Sequence, residues 1–462
     1  MRCYYEKTII KGGILFSSTD TLNADILIEN DKIAKIDQKL EDPEANIIEA
    51  AGKYIFPGFI DPHTHLDMDT GTAHTADDFV SATKGAVSGG TTTIIDFATQ
   101  DKGHSLTEAL ENWHMLADNR SSCHYGFHMA ITDWNDTTRK ELKTMQDSGV
   151  TSFKLYMAYD NLRSNDREIF EILEAVKAFG GLVSMHCENG DLVNALIAEQ
   201  KRQGHMSPAA HPLSRPGFVE AEAVNRFLAI AEAAESPVYV VHLSTERALE
   251  ACLNGRRRGQ KVFIETCPQY LLLDDSCYKL KGFESAKYVF APPARKPSDE
   301  KALWKAVGSG IVDTIGSDHC SFNMKGGKDL GKNDFSKIPN GMPGVETRPI
   351  LMYTFGVCEN KMTLNQLTAQ LSETPAKIFG MYPKKGALKA GSDADIVIWD
   401  PDYNGIITQK DQYQNVDYTP YEGIKTKGRA EFVLLNGETV VENGQVIAEN
   451  RGRYISRGIC QL

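Results

Sequence analysis

The fold is decided by an apolar stretch that runs directly into two histidines, YIFPGFIDPHTH (residues 54–65). Its first part is a short apolar run bounded by turn residues, which is typical of a buried strand. Seven similar runs follow, and helical patterns such as 166–179 and 219–234 separate most of them. The eight strand candidates are residues 54–60, 92–97, 124–131, 151–156, 181–186, 238–242, 261–266 and 312–318.

This alternation predicts an α/β fold in which parallel strands are joined by crossover helices. Eight such strands match a closed (β/α)8 TIM barrel. An open, doubly wound sheet is the structural alternative, but no G-x-G-x-x-G motif follows the first strand to favour it. We therefore expect the barrel, with the Gly/Lys-rich residues 325–337 forming a loop after the eighth strand.

Both ends of the chain are rich in short strand patterns. Segments 24–29 and 32–36 flank the turn residues Asn30-Asp31, and segment 431–449 alternates around two Asn-Gly pairs. Because chain termini often lie close together, we expect the two ends to form one β-sandwich. The predicted organisation is 1–55 as the N-terminal part of the sandwich, 56–385 as a metal-binding barrel, 386–449 as the C-terminal part of the sandwich and 450–462 as a C-terminal tail.

Composition limits the classes of partner. The chain has 462 residues and a formal net charge of -12, whereas nucleic acids and anionic membranes attract basic surfaces. We expect neither as a partner. The nine cysteines are scattered without a C-x-x-C pair, so reduced thiols in a cytoplasmic protein are the simplest interpretation. No signal peptide or transmembrane run is visible in the sequence.

Residues that bind metal ions stand where apolar strands end. His63 and His65 are two apart, so in a strand both side chains point to the same side and can hold one ion together. His186 ends the fifth strand candidate, His242 the sixth and Asp318 the eighth. The carboxyl ends of barrel strands form the face where such enzymes build active sites. The sequence therefore predicts a metal centre at this face.

Lys154 lies inside an apolar strand pattern, which is an unusual place for an amine. A buried lysine often marks a shifted pKa or a salt bridge. Beside two metal ions, a positive charge would be electrostatically unfavourable. A neutral amine can instead add CO2 and become a carbamate whose two oxygens bridge both ions.

Taken together, these residues resemble the binuclear amidohydrolase superfamily and, more closely, its dihydropyrimidinase and D-hydantoinase group of cyclic amidases. The resemblance extends over essentially the whole chain. The matching segments are DPHTHLDM (61–68), GGTTTIIDF (89–97), SFKLYMAY (152–159), HCENG (186–190), SDHC (317–320), IPNGMPGVE (338–346) and GSDADIVIWDP (391–401).

The resemblance implies two divalent metal ions, and zinc suits the mixture of imidazole and oxygen ligands. A carbamate on Lys154 and a hydroxide would bridge the pair. The ligands would divide into His63, His65 and Asp318 for one ion and His186 and His242 for the other.

The resemblance also implies the reaction, which is hydrolytic opening of dihydropyrimidine or 5-substituted hydantoin rings to N-carbamoyl amino acids. Asp318 would take the hydroxide proton and pass it to the leaving ring nitrogen. Tyr159 would donate to the developing oxyanion. Asn340 and the backbone near Ala291 would bind the ring imide, although many relatives carry serine at that second position. A homotetramer is the implied assembly.

Two alternatives to this reaction stay open. The first is an allantoinase or a dihydroorotase. Dihydroorotases place an arginine just after the H-x-H motif, where this chain has Leu66, Asp67 and Met68, which disfavours an orotate-like substrate. The second is a non-catalytic scaffold of the collapsin response mediator type, in which metal ligands are lost, whereas here all six positions are filled.

Residues around the pocket lip set the expected substrate preference. Thr70 and Arg163 would lie at the lip, with Tyr156 further in. If Arg163 faces the pocket, small, polar or acidic ring substituents are favoured, and otherwise it points into solvent. His319 is expected to point away from Asp318. Seven further histidines are expected to be structural: His74, His104, His114, His124, His128, His205 and His211.

Overall fold

The computed structural model describes residues 7–462, so the first six residues of the predicted segment 1–55 lie outside the described part. The chain begins with five strands: β1 (Lys7–Phe16), β2 (Thr21–Glu29), β3 (Lys32–Asp37), β4 (Asn46–Glu49) and β5 (Tyr54–Pro57). β1 and β2, like β2 and β3, are antiparallel, and β1 also pairs in parallel with β4 and β5. The predicted turn between β2 and β3 is present, with Asn30 at φ 54°.

The next eight strands form a parallel sheet that closes on itself. They are β6 (Phe59–Thr64), β7 (Thr91–Thr99), β8 (His124–Ala130), β9 (Ser152–Tyr156), β10 (Leu182–His186), β11 (Val238–Val240), β12 (Val262–Thr266) and β13 (Thr314–Ile315). Each pairs with its neighbour along the chain. Backbone bonds near the first and last strands close the ring, since Asp318 N–H donates to His63 O at 3.0 Å and His65 N–H to His319 O at 2.8 Å. The predicted (β/α)8 barrel is confirmed.

Several strands end earlier than the apolar runs suggest. The first candidate, 54–60, is split at Gly58 between β5 of the terminal sheet and β6 of the barrel. A Cβ on Gly58 would lie 2.0 Å from Thr92 Oγ1, so only glycine fits this crossing. β11 and β13 also end before their predicted last residues, and the chain leaves the extended conformation at His242 (φ 38°) and Asp318 (φ 52°).

Helices join the barrel strands and cover the barrel. The predicted helix 166–179 extends over Asp166–Lys177, where Asn165 and Glu168 form a reciprocal cap at its start. The α-helices are α1 (Phe79–Ser88), α2 (Leu106–Ala117), α3 (Asp136–Asp147), α4 (Asp166–Lys177), α5 (Gly190–Arg202), α6 (His211–Ser214), α7 (Gly217–Ala233), α8 (Glu246–Arg257), α9 (Pro268–Leu272), α10 (Pro297–Gly308), α11 (Arg348–Met352), α12 (Leu364–Thr368) and α13 (Thr374–Ile378). Two π-helical turns, Tyr353–Val357 and Ala369–Glu373, continue α11 and α12.

The chain then returns to the first sheet. Its last strands are β14 (Ile396–Ile406), β15 (Lys425–Leu435), β16 (Glu438–Glu442) and β17 (Gln445–Val446). β14 pairs antiparallel with β5, so one nine-stranded sheet contains both ends of the chain. Ile10, Ile26 and Ile55 share a buried apolar core with Ile396 and Leu434. The predicted joint β domain of the two termini is confirmed.

The floor of the barrel is filled by apolar side chains from several parts of the chain. Phe379, which follows α13, and Ile455 pack with strand residues such as Ile95 and Tyr239. Residues 450–462 therefore contact the barrel, and Ile455 N–H donates to Tyr125 O at 2.7 Å. With its floor closed, the barrel leaves its opposite end, where the strands finish, for ligands. Within residues 7–462, no helix combines the length and apolar character needed to span a membrane.

Candidate metal centre and active site

The fold brings the six predicted ligand positions to the carboxyl ends of the barrel strands. They are His63 in β6, His65 just after it, Lys154 in β9, His186 at the end of β10, His242 two residues after β11 and Asp318 three residues after β13. Because the carboxyl ends of parallel barrel strands lie around one mouth, side chains at these positions come close together.

His63, His65 and Asp318 form a compact group. Oδ1 of Asp318 lies 3.1 Å from Nε2 of His63 and 3.4 Å from Nε2 of His65. Their potential ligand atoms all lie within 4.8 Å of one another, which fits a single metal ion. His63 is almost fully buried, whereas His65 and Asp318 are each 13% exposed, so this group can be approached from the barrel mouth.

His186 and His242 form a second group beside the first. Nδ1 of His186 lies 2.9 Å from Nε2 of His242. The ring of His242 lies 5.5 Å from the ring of His63, measured between centroids, so the two groups adjoin. Two imidazole nitrogens from different strands thus meet at the mouth, as a second metal ion would require.

Two buried glutamates orient the histidines, and the sequence reasoning missed both. Nδ1 of His63 lies 2.6 Å from Glu265 Oε1, and Nε2 of His186 lies 2.8 Å from Glu188 Oε2. A carboxylate only accepts, so these nitrogens carry the hydrogens, and in the neutral form of each ring the opposite nitrogen keeps a free lone pair. The spacing of Glu188, two residues after His186, was the available signal. Glu265 lies 202 residues from His63 along the chain, so no local pattern in the sequence pointed to this contact.

An unsatisfied polar atom supports the fit of a metal ion to this site. Nε2 of His63, which faces Asp318, is buried without a hydrogen-bond partner among the described residues. Buried polar atoms are normally paired, so each unpaired atom calls for an explanation. Zinc and similar divalent ions bind imidazole nitrogens and carboxylate oxygens as ligands.

The charges around His63 favour a cation at this position. Burial lowers the pKa of His63, but Glu265 and Asp318 outweigh it and raise the value to about 9. Burial raises the pKa of Asp318, yet the imidazoles of His63 and His65 hold it well below its usual range, so the carboxylate stays ionised. Burial also lowers the pKa of His186, which leaves that ring neutral. The neutral ring of His186 and the ionised carboxylate of Asp318 are suited to binding divalent ions, and such an ion would take the place of the proton that Glu265 and Asp318 favour on His63.

Lys154 lies in β9 with 1% of its surface exposed. Its Nζ is 4.7 Å from the centroid of the Phe97 ring and 5.4 Å from that of Tyr156. No hydrogen bond or ion pair within residues 7–462 engages this amine. Burial lowers the pKa of Lys154 to about 8, so part of the population is neutral at physiological pH. An unpaired, partly neutral amine is chemically able to add CO2.

Tyr159 and Asn340 meet at the same mouth. Nδ2 of Asn340 donates to the Tyr159 hydroxyl at 3.3 Å, and the ring of Tyr159 lies 5.3 Å from that of His186. Burial raises the pKa of Tyr159 to about 12, so its hydroxyl keeps the proton it could donate. Ala291 is buried in a segment next to that of Asn340, because Gly341 N–H donates to Val289 O at 3.0 Å.

Three residues of this group also have a strained backbone. Tyr159 (φ 67°), His242 (φ 38°) and Asp318 (φ 52°) adopt the left-handed conformation, which non-glycine side chains rarely occupy. Such strain costs free energy and is retained mainly where function fixes the geometry. At this mouth, strained backbone therefore coincides with ligand-type side chains.

Arg215 was also missed by the sequence reasoning. Its guanidinium is buried, forms an ion pair with Glu188, and lies 5.4 Å from the centroid of the Tyr159 ring. Arg215 thus contacts Glu188, which is the hydrogen-bond partner of His186, and its guanidinium also lies beside the ring of Tyr159. It therefore links the metal-site histidine to the proposed oxyanion donor.

The other singled-out residues lie away from the centre. His319 Nδ1 accepts from Gly344 N–H at 3.1 Å, and its Nε2 lies 3.2 Å from Asp77 Oδ2, so its ring points away from the ligands. Arg163 forms ion pairs with Asp160 and Asp191 at 3.0 and 2.7 Å. The seven other histidines contact different partners, among them Glu108, Asp118, Ser152, Gln200 and the backbone of Thr75, Phe290 and Arg453.

The sequence and the fold both have close counterparts. The amidohydrolase family profile matches residues 54–440. The chain is 44% identical to a D-hydantoinase from Geobacillus stearothermophilus over 97% of this chain and 96% of that protein. It is 38% identical to a dihydropyrimidinase from Rattus norvegicus over 98% of this chain and 89% of that protein.

A solved structure shows the same fold throughout its length. The crystal structure of a dihydropyrimidinase from Brevibacillus agri superposes with a TM-score of 0.97 at 42% sequence identity. The match covers 98% of this chain and 99% of the other. Barrel, terminal sheet and their connections are therefore shared with that protein.

Proposed function

Because this chain belongs to the amidohydrolase family, within its dihydropyrimidinase and D-hydantoinase group, we propose 5,6-dihydropyrimidines, 5-substituted hydantoins or both as its substrates. The chain is an enzyme that opens cyclic amide rings by hydrolysis. The products of the proposed reaction are N-carbamoyl amino acids. The observation that carries the proposal is the convergence of all six ligand-type side chains with Tyr159 and Asn340 at one barrel mouth.

The family implies a binuclear metal centre, and we propose zinc as its metal. His63, His65 and Asp318 would hold one ion, and His186 and His242 would hold the other. A carbamate on Lys154 would be shared by both. When bound, the two ions supply Lewis acidity that activates water and polarises the ring carbonyl. Imidazole and oxygen donors in this mixture support zinc.

The protein side chains account for the proton transfers. Asp318 accepts the proton of the attacking water at its carboxylate and delivers it to the ring nitrogen, which is a poor leaving group until protonated. Tyr159 donates its hydroxyl hydrogen to the oxygen that becomes negative. Asn340 and the backbone of Ala291 hold the imide of the ring. Glu265 keeps the hydrogen of His63 on Nδ1, away from the metal side.

Neither alternative is favoured by a specific observation. The positions after His65 hold Leu66, Asp67 and Met68 and offer no guanidinium to a substrate carboxylate. A non-catalytic scaffold would lack metal ligands, whereas the described site is complete in ligand type. Purified enzyme would be expected to contain stoichiometric divalent metal.

The proposed function is tested with a substrate panel. Dihydrouracil, dihydrothymine, an alkyl hydantoin, allantoin and dihydroorotate are offered to purified, metal-loaded enzyme, and ring opening is followed by ultraviolet absorbance. We expect turnover of the dihydropyrimidines or hydantoins to exceed that of allantoin and dihydroorotate. Activity confined to allantoin or dihydroorotate would contradict the proposal, and so would inactivity on every ring.

Arg163 is expected to leave the substrate ranking unaffected. Its guanidinium is held by Asp160 and Asp191, both exposed, which keeps its charge outside the pocket. The Arg163→Leu variant should therefore keep the relative kcat/KM of dihydrouracil, an alkyl hydantoin and a carboxyalkyl hydantoin. A shift of ~1–3 kcal/mol in relative kcat/KM toward the alkyl hydantoin, the scale of one apolar pocket contact, would show that Arg163 contacts the ring substituent.

We also propose a homotetramer in the cytoplasm. Large apolar side chains exposed on the single chain, including Leu213 (53%) and Phe218 (45%), support burial against further copies. The eight cysteines within the described part are free thiols, which supports a reducing compartment.

A further inference from the structure

A buried lysine outside the metal centre joins two loops of the active site. Lys328 lies in the Gly/Lys-rich loop after the last barrel strand and is fully buried. Its ammonium group donates to three backbone carbonyls, those of Val289 at 2.6 Å, Pro339 at 2.7 Å and Gly341 at 2.6 Å. Three acceptors match the three hydrogens of a lysine ammonium, so the charged form uses every donor, while burial lowers the pKa of Lys328 to about 7.

Burying the ammonium group of Lys328 in this way reduces the stability of the folded protein. No carboxylate within residues 7–462 forms an ion pair with Lys328, so only carbonyl dipoles compensate its charge. A buried charge without a counter-ion costs free energy, and an apolar side chain of similar length would avoid that cost. The three hydrogen bonds must therefore provide something that apolar packing does not, and that is a fixed geometry for the carbonyls.

The three carbonyls belong to the two segments that present Ala291 and Asn340. Val289 precedes Ala291 by two residues, and Pro339 and Gly341 flank Asn340. A direct bond from Gly341 N–H to Val289 O, at 3.0 Å, joins the same segments. Any displacement of one loop relative to the other would break bonds to Lys328.

The backbone carbonyls on either side of Ala291, in the loop 289–293, are also held by hydrogen bonds. His211 Nε2 donates to Phe290 O at 2.8 Å, and the Tyr270 hydroxyl donates to Pro292 O at 2.9 Å. The carbonyl of Ala291 between them takes part in no hydrogen bond within residues 7–462. The loop 289–293 thus has one free carbonyl, that of Ala291, and this loop is bonded to the segment that carries Asn340.

We propose that Lys328 is a positioning residue for substrate binding, which sets the distance between the Ala291 carbonyl and the Asn340 amide to fit the imide of a cyclic substrate. The inference rests on the proposed function for the identity of that ligand. Lys328 itself touches neither the substrate nor the metal ligands, and it acts through the two loops.

The test replaces Lys328 by methionine, which keeps the length and removes the donors. Lys328→Met should raise KM for the best substrate on the order of tenfold, which corresponds to the loss of one hydrogen bond to a charged group. Bound metal should be unchanged, and kcat should be little affected. Lys385→Met is the matched control, because Lys385 is also buried but pairs with Asp393 and Asp395, which lie just before strand β14 of the terminal sheet. It should leave KM unchanged.

A double-mutant cycle separates positioning from general destabilisation. If Lys328 acts through the Asn340 loop, Lys328→Met and Asn340→Ala together should raise KM by less than the product of their single effects. A full product, or an unchanged KM in Lys328→Met, would overturn the proposal. A parallel loss of metal would do the same, since it would place the effect at the metal centre.

Hydrogen exchange gives a readout that does not depend on substrate. Lys328→Met should accelerate amide exchange in both loops, 289–293 and 338–344, relative to the barrel strands, and Lys385→Met should not. If the wild-type enzyme opened no cyclic amide, the proposed function would fail while exchange still tested the connection between the loops. Unchanged exchange in both loops would refute the role of Lys328.

Discussion

The Lys154→Ala variant is expected to lose most of its bound metal and to fall in kcat/KM by more than ~100-fold. Loss of a residue that only hydrogen-bonds to a metal ligand already costs up to about 100-fold. Lys154 is buried at the mouth, and within residues 7–462 its amine has no hydrogen-bond or ion-pair partner. In our proposal a carbamate on Lys154 would help to hold both ions, so alanine would remove a ligand that they share. The fold should persist, because no internal hydrogen bond is lost.

The experiment compares Lys154→Ala with Lys154→Arg. Neither side chain can form the proposed carbamate, but arginine keeps the positive charge. We expect both variants to be inactive, and short carboxylic acids such as acetate to restore part of the activity of Lys154→Ala. Metal is measured by elemental analysis and activity by ring opening. Full activity with bound metal in Lys154→Ala would contradict the carbamate, and activity confined to Lys154→Arg would assign the role to the charge.

The Asp318→Asn variant is expected to lose turnover on the order of 10²–10⁴-fold, the range for loss of a proton-transfer group. Asparagine keeps the shape and one oxygen, but it cannot accept the proton or pass it to the leaving nitrogen. The carboxylate also contacts His63 and His65, so it serves the ligand group as well. The proton role predicts that kcat falls while most metal stays bound.

Metal content and kcat are therefore measured together on the same preparation. Asp313→Asn is the matched control, because Asp313 precedes β13 at its other end and pairs with Arg256. It should retain turnover. A near-native rate in Asp318→Asn with metal bound would refute the proton transfer, and complete metal loss would show that ligation dominates.

Much of the fold follows from the sequence because its signals are local. A strand or helix reveals itself within a few residues through the period of its apolar side chains. The H-x-H pair and the strand-end positions of His186, His242 and Asp318 were read in this way, since a barrel places strand ends together. The split at Gly58 was not visible, because it depends on the approach of Thr92 from the next strand.

The barrel, the terminal β domain and the set of candidate ligands could be predicted from the order of residues along the chain. Their partners could not: these are Glu265 on His63, Arg215 beside Tyr159, the outward ion pairs of Arg163, and Lys328 between two loops. The difference lies in the sequence separation over which each signal acts. Periodicity acts between neighbours along the chain, whereas a buried polar group takes whichever partner folding brings within about 3 Å, at any sequence separation.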